Sequence, residues 1–524
     1  MPARVNRFWK NSGAGIEVAK PPVPDWDAMR MLEALIIVIT GQLTLAAAIM
    51  GPRRPRWSQL LPALPGALVL AHLLLEGGRW QMMPAYAVVA GLCVFGIVRW
   101  ARPAREPGLV GRAVARTAAV FGFLLVMSSA VADIQLPVFV LPTPTGPAAV
   151  GTTALVFTDQ ARREELSDDP SAMRTIPVQI WYPASVTHNA RRASYLGDPS
   201  RIGAEQLRKA GLPSFTARHL RLVRTHSWEN VPVAAGQPAY PILLFSHGDG
   251  MPLGQNTALM EELASHGYVV VSIGHPYQSI VVYPDGRLVT YRQAAGRMKE
   301  IAAMNKPARD ARLPSPYTLT PAERAQLAVR AVSLQPGEDF LARMWSADIR
   351  FVLDELAVLE AAPSGLFAGR LDMRRVGALG HSFGGAASGQ ACLDDPRIGA
   401  GLNMDGLQSG DMLRRPIGKP FLFMNEDRLD GLSDPFYASS TGPAYEVIIK
   451  GAVHDSFTDM VLWSPFSVGR AGGDLEAARG LRIVNAYVLA FFDRYLKGVA
   501  APLLDASPAP YPEVTIRERL TTRP

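Results

Sequence analysis

The chain has 524 residues, a formal net charge of +7, and a composition that is 48% hydrophobic and 19% charged. Such a composition excludes a disordered chain, and the length is too great for one ordinary core. The basic excess lies largely as arginine between apolar runs near the N-terminus. Because the chain shows neither zinc-finger spacing nor a basic block interleaved with aromatics, we expect no nucleic-acid partner. Cys93 and Cys392 lie in different regions, so we expect neither a disulfide nor a metal site.

Residues 1–30 are predicted to form an N-terminal tail, and residues 31–142 a transmembrane region of about four helices. A cleaved signal peptide fits poorly, since the first apolar run starts late and three more follow it. A membrane core of about 30 Å needs around 20 helical residues, a length that the first and fourth runs reach. A buried helical subdomain is the alternative. The four runs are Leu32–Gly51, Leu60–Leu75, Met83–Val98 and Thr117–Leu141.

The placement of arginine predicts the orientation of these helices, because positively charged loops stay in the cytoplasm. The links after the first and third runs are rich in arginine, whereas the second link has only Arg79 and residues 135–160 have no Lys or Arg. We therefore expect a multi-pass protein of the cytoplasmic (inner) membrane whose C-terminal domain lies outside the cytoplasm. The basic residues of the tail oppose this orientation. The arginines of the two links are Arg53, Arg54, Arg56, Arg99, Arg102, Arg105, Arg112 and Arg116.

Residues 143–152, rich in Pro, Gly and Thr, are predicted to form a linker to a catalytic domain at 153–524. In that domain short β-rich runs alternate with helical patterns, which is typical of a mostly parallel sheet flanked by helices. Residues 276–340 lack strong strand signals and are interpreted as an insertion or lid. An amphipathic helix is predicted at Met344–Glu360. The predicted strands, of which the first two should pair antiparallel, are Ala154–Phe157, Val178–Tyr182, Ile242–Phe245, Tyr268–Ile273, Arg375–Leu379, Gly401–Met404, Phe421–Met424 and Tyr445–Ile449.

The most specific motif is G-x-S-x-G at residues 380–384, between an apolar strand and a helix of small residues. In this context a tight strand-to-helix turn lifts the hydroxyl of Ser382 above the sheet. The motif predicts an α/β-hydrolase fold preceded by the helical membrane region, with Ser382 as the nucleophile. A serine hydroxyl needs a base, and in this fold the order along the chain is Ser, then Asp or Glu, then His. Since His454 is the one histidine after Ser382, it is the predicted base.

The acid that orients the base is not decided by the pattern alone. Asp405 ends one strand after the nucleophile, and Glu426 and Asp427 end the next. For the oxyanion, the backbone N–H groups of Phe383 and Asp249 are the predicted donors. His247, in the loop that carries Asp249, is interpreted as structural, with a role as a second base as the alternative.

With these residues identified, the domain resembles the plasma-type (isoform II) platelet-activating-factor acetylhydrolases and their bacterial relatives. The stretches that carry the resemblance keep the family's order across most of residues 150–500. The resemblance implies that Asp405 completes the triad, and that neither a metal nor a cofactor is required. Asp249 departs from the family, since the animal enzymes have an apolar residue there. The matching stretches are PVQIWYP, FSHGDG, LASHGYVVV, ADIRFVLDEL, GHSFGGA, LNMDG and GAVHDSFTD.

These observations predict a membrane-bound serine hydrolase that cleaves carboxylic esters, lipid-like or small, through an acyl-enzyme. The resemblance implies short-acyl or oxidised phospholipids as possible substrates. The first alternative is an amidase or peptidase that uses the same triad, since one fold supports many reactions. The second is a membrane protein whose hydrolase domain binds a ligand without cleaving it. The sequence predicts no particular oligomeric state.

Overall fold

The computed structural model describes residues 30–50, 56–101 and 108–519. The predicted tail (1–30) and the links with Arg53, Arg54, Arg102 and Arg105 lie almost wholly outside the described residues. The strands are β1 (Ala149–Arg163), β2 (Met173–Ala184), β3 (Arg192–Ser194), β4 (Arg224–Glu229), β5 (Tyr240–Ser246), β6 (Met251–Pro252), β7 (Val269–Ile273), β8 (Ser279–Val282), β9 (Leu288–Val289), β10 (Leu371–His381), β11 (Ile398–Met404), β12 (Phe421–Glu426), β13 (Ala444–Ile449) and β14 (Val514–Arg519).

The described helices fall into an N-terminal bundle and a set that covers the sheet. The bundle helices are α1 (Met31–Met50), α2 (Ala63–Leu75), α3 (Met83–Ala101) and α4 (Leu109–Gln135). The others are α5 (Pro199–Lys209), α6 (Thr257–Ser265), α7 (Ala295–Met304), α8 (Lys306–Asp310), α9 (Pro321–Leu334), α10 (Pro336–Ala361), α11 (Phe383–Asp394), α12 (Asp434–Ser439), α13 (Ser467–Arg470), α14 (Ala477–Phe492) and α15 (Pro502–Asp505).

One large sheet organises the catalytic domain, in the order β14-β13-β12-β11-β10-β5-β7-β2-β1-β4-β3. The six strands from β13 to β7 run parallel to one another. The long β1–β2 pair is antiparallel, as predicted, and so is the β13–β14 pair at the other edge. This mostly parallel sheet with flanking helices confirms the predicted fold class.

Alternation along the central strands divides the core between the two faces of the sheet. On β5, Ile242 and Leu244 pack in one cluster, whereas Leu243 and Phe245 pack in the other. The first cluster is closed by α10 and α11, and the second by α6 and α14. Since successive side chains of a strand point to opposite faces, strands covered on both sides are apolar throughout. This double cover holds the strands rigidly and therefore fixes the loops at their ends.

Seven of the eight predicted strands lie wholly within a strand of the large sheet. The eighth, Tyr268–Ile273, begins one residue before β7. The predicted insertion at 276–340 contains the short strands β8 and β9 and the helices α7, α8 and α9. The prediction had missed these two strands, which have four and two residues. It had also missed β14, whose sequence VTIRER is largely polar because the strand lies at the sheet edge.

Four described helical stretches are long and apolar enough to cross a membrane: Met31–Ile49, Trp57–Leu75, Trp80–Ala101 and Leu109–Gln135. Side-chain contacts place the start of α1, the end of α2 and the end of α4 at one end of the bundle. There Arg79 binds Glu33 through two hydrogen bonds of 2.9 and 2.5 Å and lies 3.1 Å from Asp133. Asp133 lies inside the fourth apolar run, and this ion pair explains how its carboxylate is buried.

The fourth helix differs from the predicted run, since α4 ends at Gln135 rather than near Leu141. Pro137 disfavours the helical conformation of Leu136 and cannot donate a backbone hydrogen bond. The residues that follow are extended, and Phe139 and Leu141 are buried in a cluster of the catalytic domain. The hydrolase therefore begins to pack against the chain directly after the last bundle helix.

Candidate active site

The predicted site residues lie in loops at one edge of the sheet, the edge formed by the carboxyl ends of the parallel strands. Ser382 follows β10, Asp405 follows β11, and Asp249 and His454 lie in the loops after β5 and β13. In open parallel sheets this edge is where ligands bind. The structure thus brings together residues that are separated by up to 205 positions in sequence.

Ser382 sits on a strained turn between β10 and α11. Its φ of 55° and ψ of −124° belong to a region that residues other than glycine rarely adopt. A Cβ on Gly384 would lie 2.1 Å from the carbonyl oxygen of Ser246, and a Cβ on Gly380 would lie 2.2 Å from the carbonyl carbon of Gly384. The two glycines of the motif are therefore required by the close approach of backbone to backbone.

His454 and Asp405 form a direct hydrogen bond, with 2.6 Å between Nδ1 of the ring and Oδ2 of the carboxylate. Burial alone would lower the pKa of His454, but the hydrogen bond and charge of Asp405 outweigh it and raise this pKa above 6.5. The other oxygen of Asp405 accepts a hydrogen bond of 2.9 Å from the backbone N–H of Glu426. Since both its carboxylate oxygens are engaged, Asp405 holds the imidazole in one orientation.

The two other acids that the pattern had left open have different partners. The side chain of Glu426 binds Arg428 at 2.5 Å and accepts a hydrogen bond of 3.1 Å from the hydroxyl of Tyr317. Asp427 accepts a hydrogen bond of 3.1 Å from the backbone N–H of Gly451 and so fixes the loop that carries His454. Neither carboxylate takes the place that Asp405 occupies at Nδ1.

The predicted oxyanion donors flank the serine. Phe383 is the first residue of α11, and the first amides of a helix have no partner within the helix. A Cβ on Gly248, which precedes Asp249, would lie 3.5 Å from the Cβ of Ser382, so this loop passes directly over the nucleophile. The amide of Gly248 donates to Gln255 and that of Gly250 donates to the carbonyl oxygen of Gln278. These bonds leave the amide of Asp249 as the candidate donor of the loop.

Gln255 connects the three loops of the site, a role that the sequence analysis had missed. Its Oε1 accepts the 2.7 Å hydrogen bond from Gly248, and its Nε2 donates to Nδ1 of His381 at 2.6 Å. The proton of His381 is therefore on Nε2, which lies 3.0 Å from the carbonyl oxygen of His454 and donates to it. Nothing in the pattern indicated Gln255, but the polar His381 in the motif was a signal that a buried partner exists.

His247 is buried and packs edge-on against the rings of His275 and Trp345, which stack on each other. Its Nδ1–H donates to the carbonyl oxygen of Gly248 at 2.7 Å, and its Nε2 accepts from the amide of His275 at 3.3 Å. Burial lowers its pKa to about 3. With both ring nitrogens engaged, His247 supports the oxyanion loop, which agrees with the structural interpretation.

A cavity of about 470 Å³ opens beside the oxyanion loop and is wide enough for a small or acyl-bearing ligand. The predicted insertion supplies most of its wall and also reaches the acid loop, where Tyr317 contacts Glu426. Arg428 lies 5.0 Å above the ring of Tyr317. The lining residues are Lys209, Asp249, Gly250, Gln278, Tyr291, Arg292, Ala295 and Met298.

Within the described ranges, Glu33, His72 and Glu76 form a group whose ligand atoms lie within 4.8 Å of one another. Guanidinium groups already neutralise these carboxylates, since Arg79 binds Glu33 and Arg30 lies 3.5 Å from Glu76. We therefore interpret the group as an ion-pair cluster of the bundle rather than as a cation site.

The family model described as platelet-activating factor acetylhydrolase, isoform II, matches residues 137–285 and 363–500, more than half of the chain. The matched ranges include all the predicted site residues, and they leave out the bundle and most of the predicted insertion.

Individual relatives agree with this match. A platelet-activating factor acetylhydrolase of Cavia porcellus is 25% identical over 68% of this chain and 78% of the relative. A probable 1-alkyl-2-acetylglycerophosphocholine esterase of Arthroderma benhamiae is 26% identical over 72% of this chain and 93% of the relative. Among solved structures, a ferulic acid esterase from Streptomyces cinnamoneus is 26% identical with a TM-score of 0.53, covering 72% of this chain and 98% of that one.

Proposed function

The chain belongs to the platelet-activating factor acetylhydrolase isoform II family, and we propose that it hydrolyses carboxylic esters with Ser382 as nucleophile, His454 as base and Asp405 as its partner. The observation that carries the proposal is the 2.6 Å hydrogen bond between His454 and Asp405 in the loops beside the strained turn of Ser382. That bond leaves Nε2 of His454 as the ring nitrogen that can accept a proton. The names of the relatives and of the solved structure support ester cleavage.

In the proposed reaction, Nε2 of His454 takes the hydroxyl proton while Oγ of Ser382 attacks the ester carbonyl. The negative charge on the carbonyl oxygen is stabilised by the amides of Phe383 and Asp249. Collapse of the tetrahedral intermediate expels the alcohol, which receives the proton from His454, and leaves an acyl-serine. Water, deprotonated by the same ring, then releases the acid and restores the enzyme.

We further propose a multi-pass membrane protein whose bundle carries the hydrolase. Residues 143–152, of which 149–152 also begin β1, would be the linker, and residues 276–340 a lid. Four apolar helices and their burial of a shared ion-pair cluster support the membrane assignment. Short-acyl or oxidised phospholipids are the first lipid esters to consider, since the resemblance of this chain to the family implies them. The cavity beside the oxyanion loop would hold part of such a substrate.

The decisive test is hydrolysis of p-nitrophenyl esters from acetate to palmitate by the full-length protein in detergent. Loss of Ser382 should lower turnover by about a millionfold, as for other serine triads. The matched control is Ser171→Ala, which removes an exposed hydroxyl from the turn between β1 and β2 and should leave turnover unchanged. If Ser382→Ala kept a tenth of the activity, the assignment of the nucleophile would be wrong.

Two further measurements separate this proposal from its alternatives. Faster cleavage of an anilide than of the matched ester would favour the amidase or peptidase. Failure of the wild-type protein to react with a fluorophosphonate probe would favour the binding protein without catalytic activity. We expect neither, because the hydrogen bond from Nδ1 of His454 to Asp405 supports a role for Nε2 as the base that activates the serine.

A further inference from the structure

The bundle and the hydrolase meet at a seam that is formed by the loop after α2 and the segment Leu212–Arg224, here called the seam segment. The indole N–H of Trp80 donates to the carbonyl oxygen of Thr216 at 3.2 Å, and Arg221 donates to the carbonyl oxygen of Gly78 at 3.1 Å. The ring of Phe215 packs edge-on against Trp80, with 5.2 Å between the ring centroids. Direct contacts therefore hold the seam segment at the end of the membrane helices.

The neighbouring helix α2 indicates where the seam lies along the membrane normal. Leu74 and Leu75, the last residues of α2, are 84% and 77% exposed, as lipid-facing leucines of a spanning helix would be. Gly78 follows three residues after Leu75, so the seam segment lies within a few residues of lipid-facing surface. A segment just beyond the end of a spanning helix adjoins the headgroup region of the bilayer.

The composition of the seam segment suits that region. It carries Arg218, Arg221 and Arg224, all exposed, and the sequence has no acidic residue between Glu205 and Glu229. Leu212 and Phe215 are exposed large apolar side chains on the same segment. Basic and apolar side chains together are typical of elements that lie on an anionic membrane surface.

A cavity of about 360 Å³ lies in the seam, and its wall combines these two kinds of side chain. Arg218 and Arg221 are its charged residues, and no acidic side chain lines it. Arginine suits a phosphate because its guanidinium presents donors in a planar fork. The remaining lining residues are Ser200, Ala204, Ser214 and Phe215.

We propose that the seam segment is a lipid-binding surface, in which Arg218 and Arg221 hold the phosphate of an anionic phospholipid while Leu212 and Phe215 enter the upper acyl region. The surface adjoins the candidate active site. Helix α5, which precedes the segment, ends at Lys209, whose ammonium donates to the carbonyl oxygen of Gly250 at 2.5 Å. Lipid binding therefore holds the mouth of the site against the bilayer, a consequence that rests on the proposed function, whereas the binding itself does not.

The test uses the full-length Ser382→Ala protein in dodecyl maltoside, so that ester lipids are not consumed. Thermal unfolding is followed as dioleoyl phosphatidylglycerol, dioleoyl phosphatidylcholine or inorganic phosphate is added, because a ligand that binds the folded state raises its stability. We expect phosphatidylglycerol to raise the unfolding temperature more than phosphatidylcholine does, and phosphate to have no effect. Adding R218E/R221E should weaken the apparent affinity for phosphatidylglycerol by about thirtyfold.

The matched control R330E/R374E reverses two other exposed arginines of the hydrolase and should keep the effect of phosphatidylglycerol. With Ser382 intact, the R218E/R221E variant should retain turnover of p-nitrophenyl butyrate, which would show that its hydrolase domain is folded. If this turnover is lost, the neutral variant R218A/R221A is used in its place. An equal effect of phosphatidylglycerol on the seam variant and the control would overturn the proposal. So would equal effects of the two lipids, or an effect of phosphate alone, which would identify a soluble anion as the ligand.

Discussion

At the scale of single residues, the candidate site depends on the hydrogen bond between Asp405 and His454 and on its effect on the pKa of the imidazole. The carboxylate accepts the Nδ1 proton, raises the pKa of the ring, and is itself held by the amide of Glu426. A base that is protonated cannot accept the serine proton, so activity must fall as the pH drops below this raised pKa. The acid limb of the pH profile therefore reports directly on the contact between these two residues.

Replacing Asp405 by Asn should lower kcat by about ten-thousandfold, since the amide can hold the wrong tautomer of the ring. The acid limb of kcat/KM should also move to lower pH, because the hydrogen bond and charge that raise the pKa of His454 are lost while burial, which lowers it, remains. The measurement is p-nitrophenyl butyrate hydrolysis between about pH 5 and 9. Glu426→Gln is the matched control, and an equal loss there would contradict the assignment of Asp405.

The sequence predicted Ser382 as nucleophile and His454 as base, but its pattern could not choose among the acids. The reason is physical: parallel strands bring all their carboxyl ends to one edge, so Asp405, Glu426 and Asp427 were all within plausible reach. Only the three-dimensional arrangement shows Glu426 paired with Arg428 and Asp427 engaged with Gly451. The family resemblance implies Asp405, whose Oδ2 lies 2.6 Å from Nδ1 of His454.

At the scale of elements, the bundle helices are joined by charges that an apolar span rarely tolerates. Arg79, Glu33 and Asp133 are all buried, and the arginine lies close to both carboxylates. Removing one partner of a buried ion pair leaves an uncompensated charge, which costs more than the pair contributes. The cluster therefore ties the ends of α1 and α4 to the loop between α2 and α3.

Arg79→Leu should destabilise the bundle by about 3–5 kcal/mol, because it leaves the buried Asp133 without the guanidinium that contacts it and leaves Glu33 only the more distant Arg30, 3.7 Å away. Thermal unfolding in detergent, followed by the helical circular dichroism signal, should show an earlier transition. Arg116→Leu, which removes an exposed arginine from α4, serves as the control and should have little effect. An unchanged transition in Arg79→Leu would mean that the cluster does not stabilise the bundle.

Elements were predictable where one periodicity dominates. The six parallel strands are apolar because both faces of the sheet are covered, and this made them visible in the sequence. The short strands β3, β6, β8 and β9 gave no such signal, since two to four residues cannot establish a period. The end of α4 was misplaced because the apolar run continues past Pro137 to residues that are buried in the hydrolase instead.

At the scale of the whole molecule, the seam could not be predicted from the sequence at all. It is built from single contacts between residues far apart in the chain, such as Gly78 with Arg221 and Trp80 with Thr216. Neither partner belongs to a motif, and the family match begins only at residue 137. The position of the hydrolase relative to the bundle is therefore a property of the structure alone.

The structure gives the bundle two distinct ends, and its orientation in a membrane stays a prediction. The start of α1 and the ends of α2 and α4 lie beside the hydrolase, so α1 and α3 finish at the opposite end of the bundle. In the sequence, the arginine-rich links follow α1 and α3. If positive links stay in the cytoplasm, the hydrolase lies outside it. The variant Thr187→Cys places a thiol on an exposed hydrolase loop, and Arg105→Cys places one in the link after α3.

We expect a membrane-impermeant maleimide to label Thr187→Cys in intact cells and to label Arg105→Cys only after the membrane is permeabilised. Cys392 is buried and Cys93 lies within α3, so the wild-type protein measures the background. The reverse pattern would place the hydrolase in the cytoplasm and would make the basic N-terminal tail the determinant of topology. In either orientation the seam keeps the candidate active site near one membrane surface, because its contacts are internal to the chain.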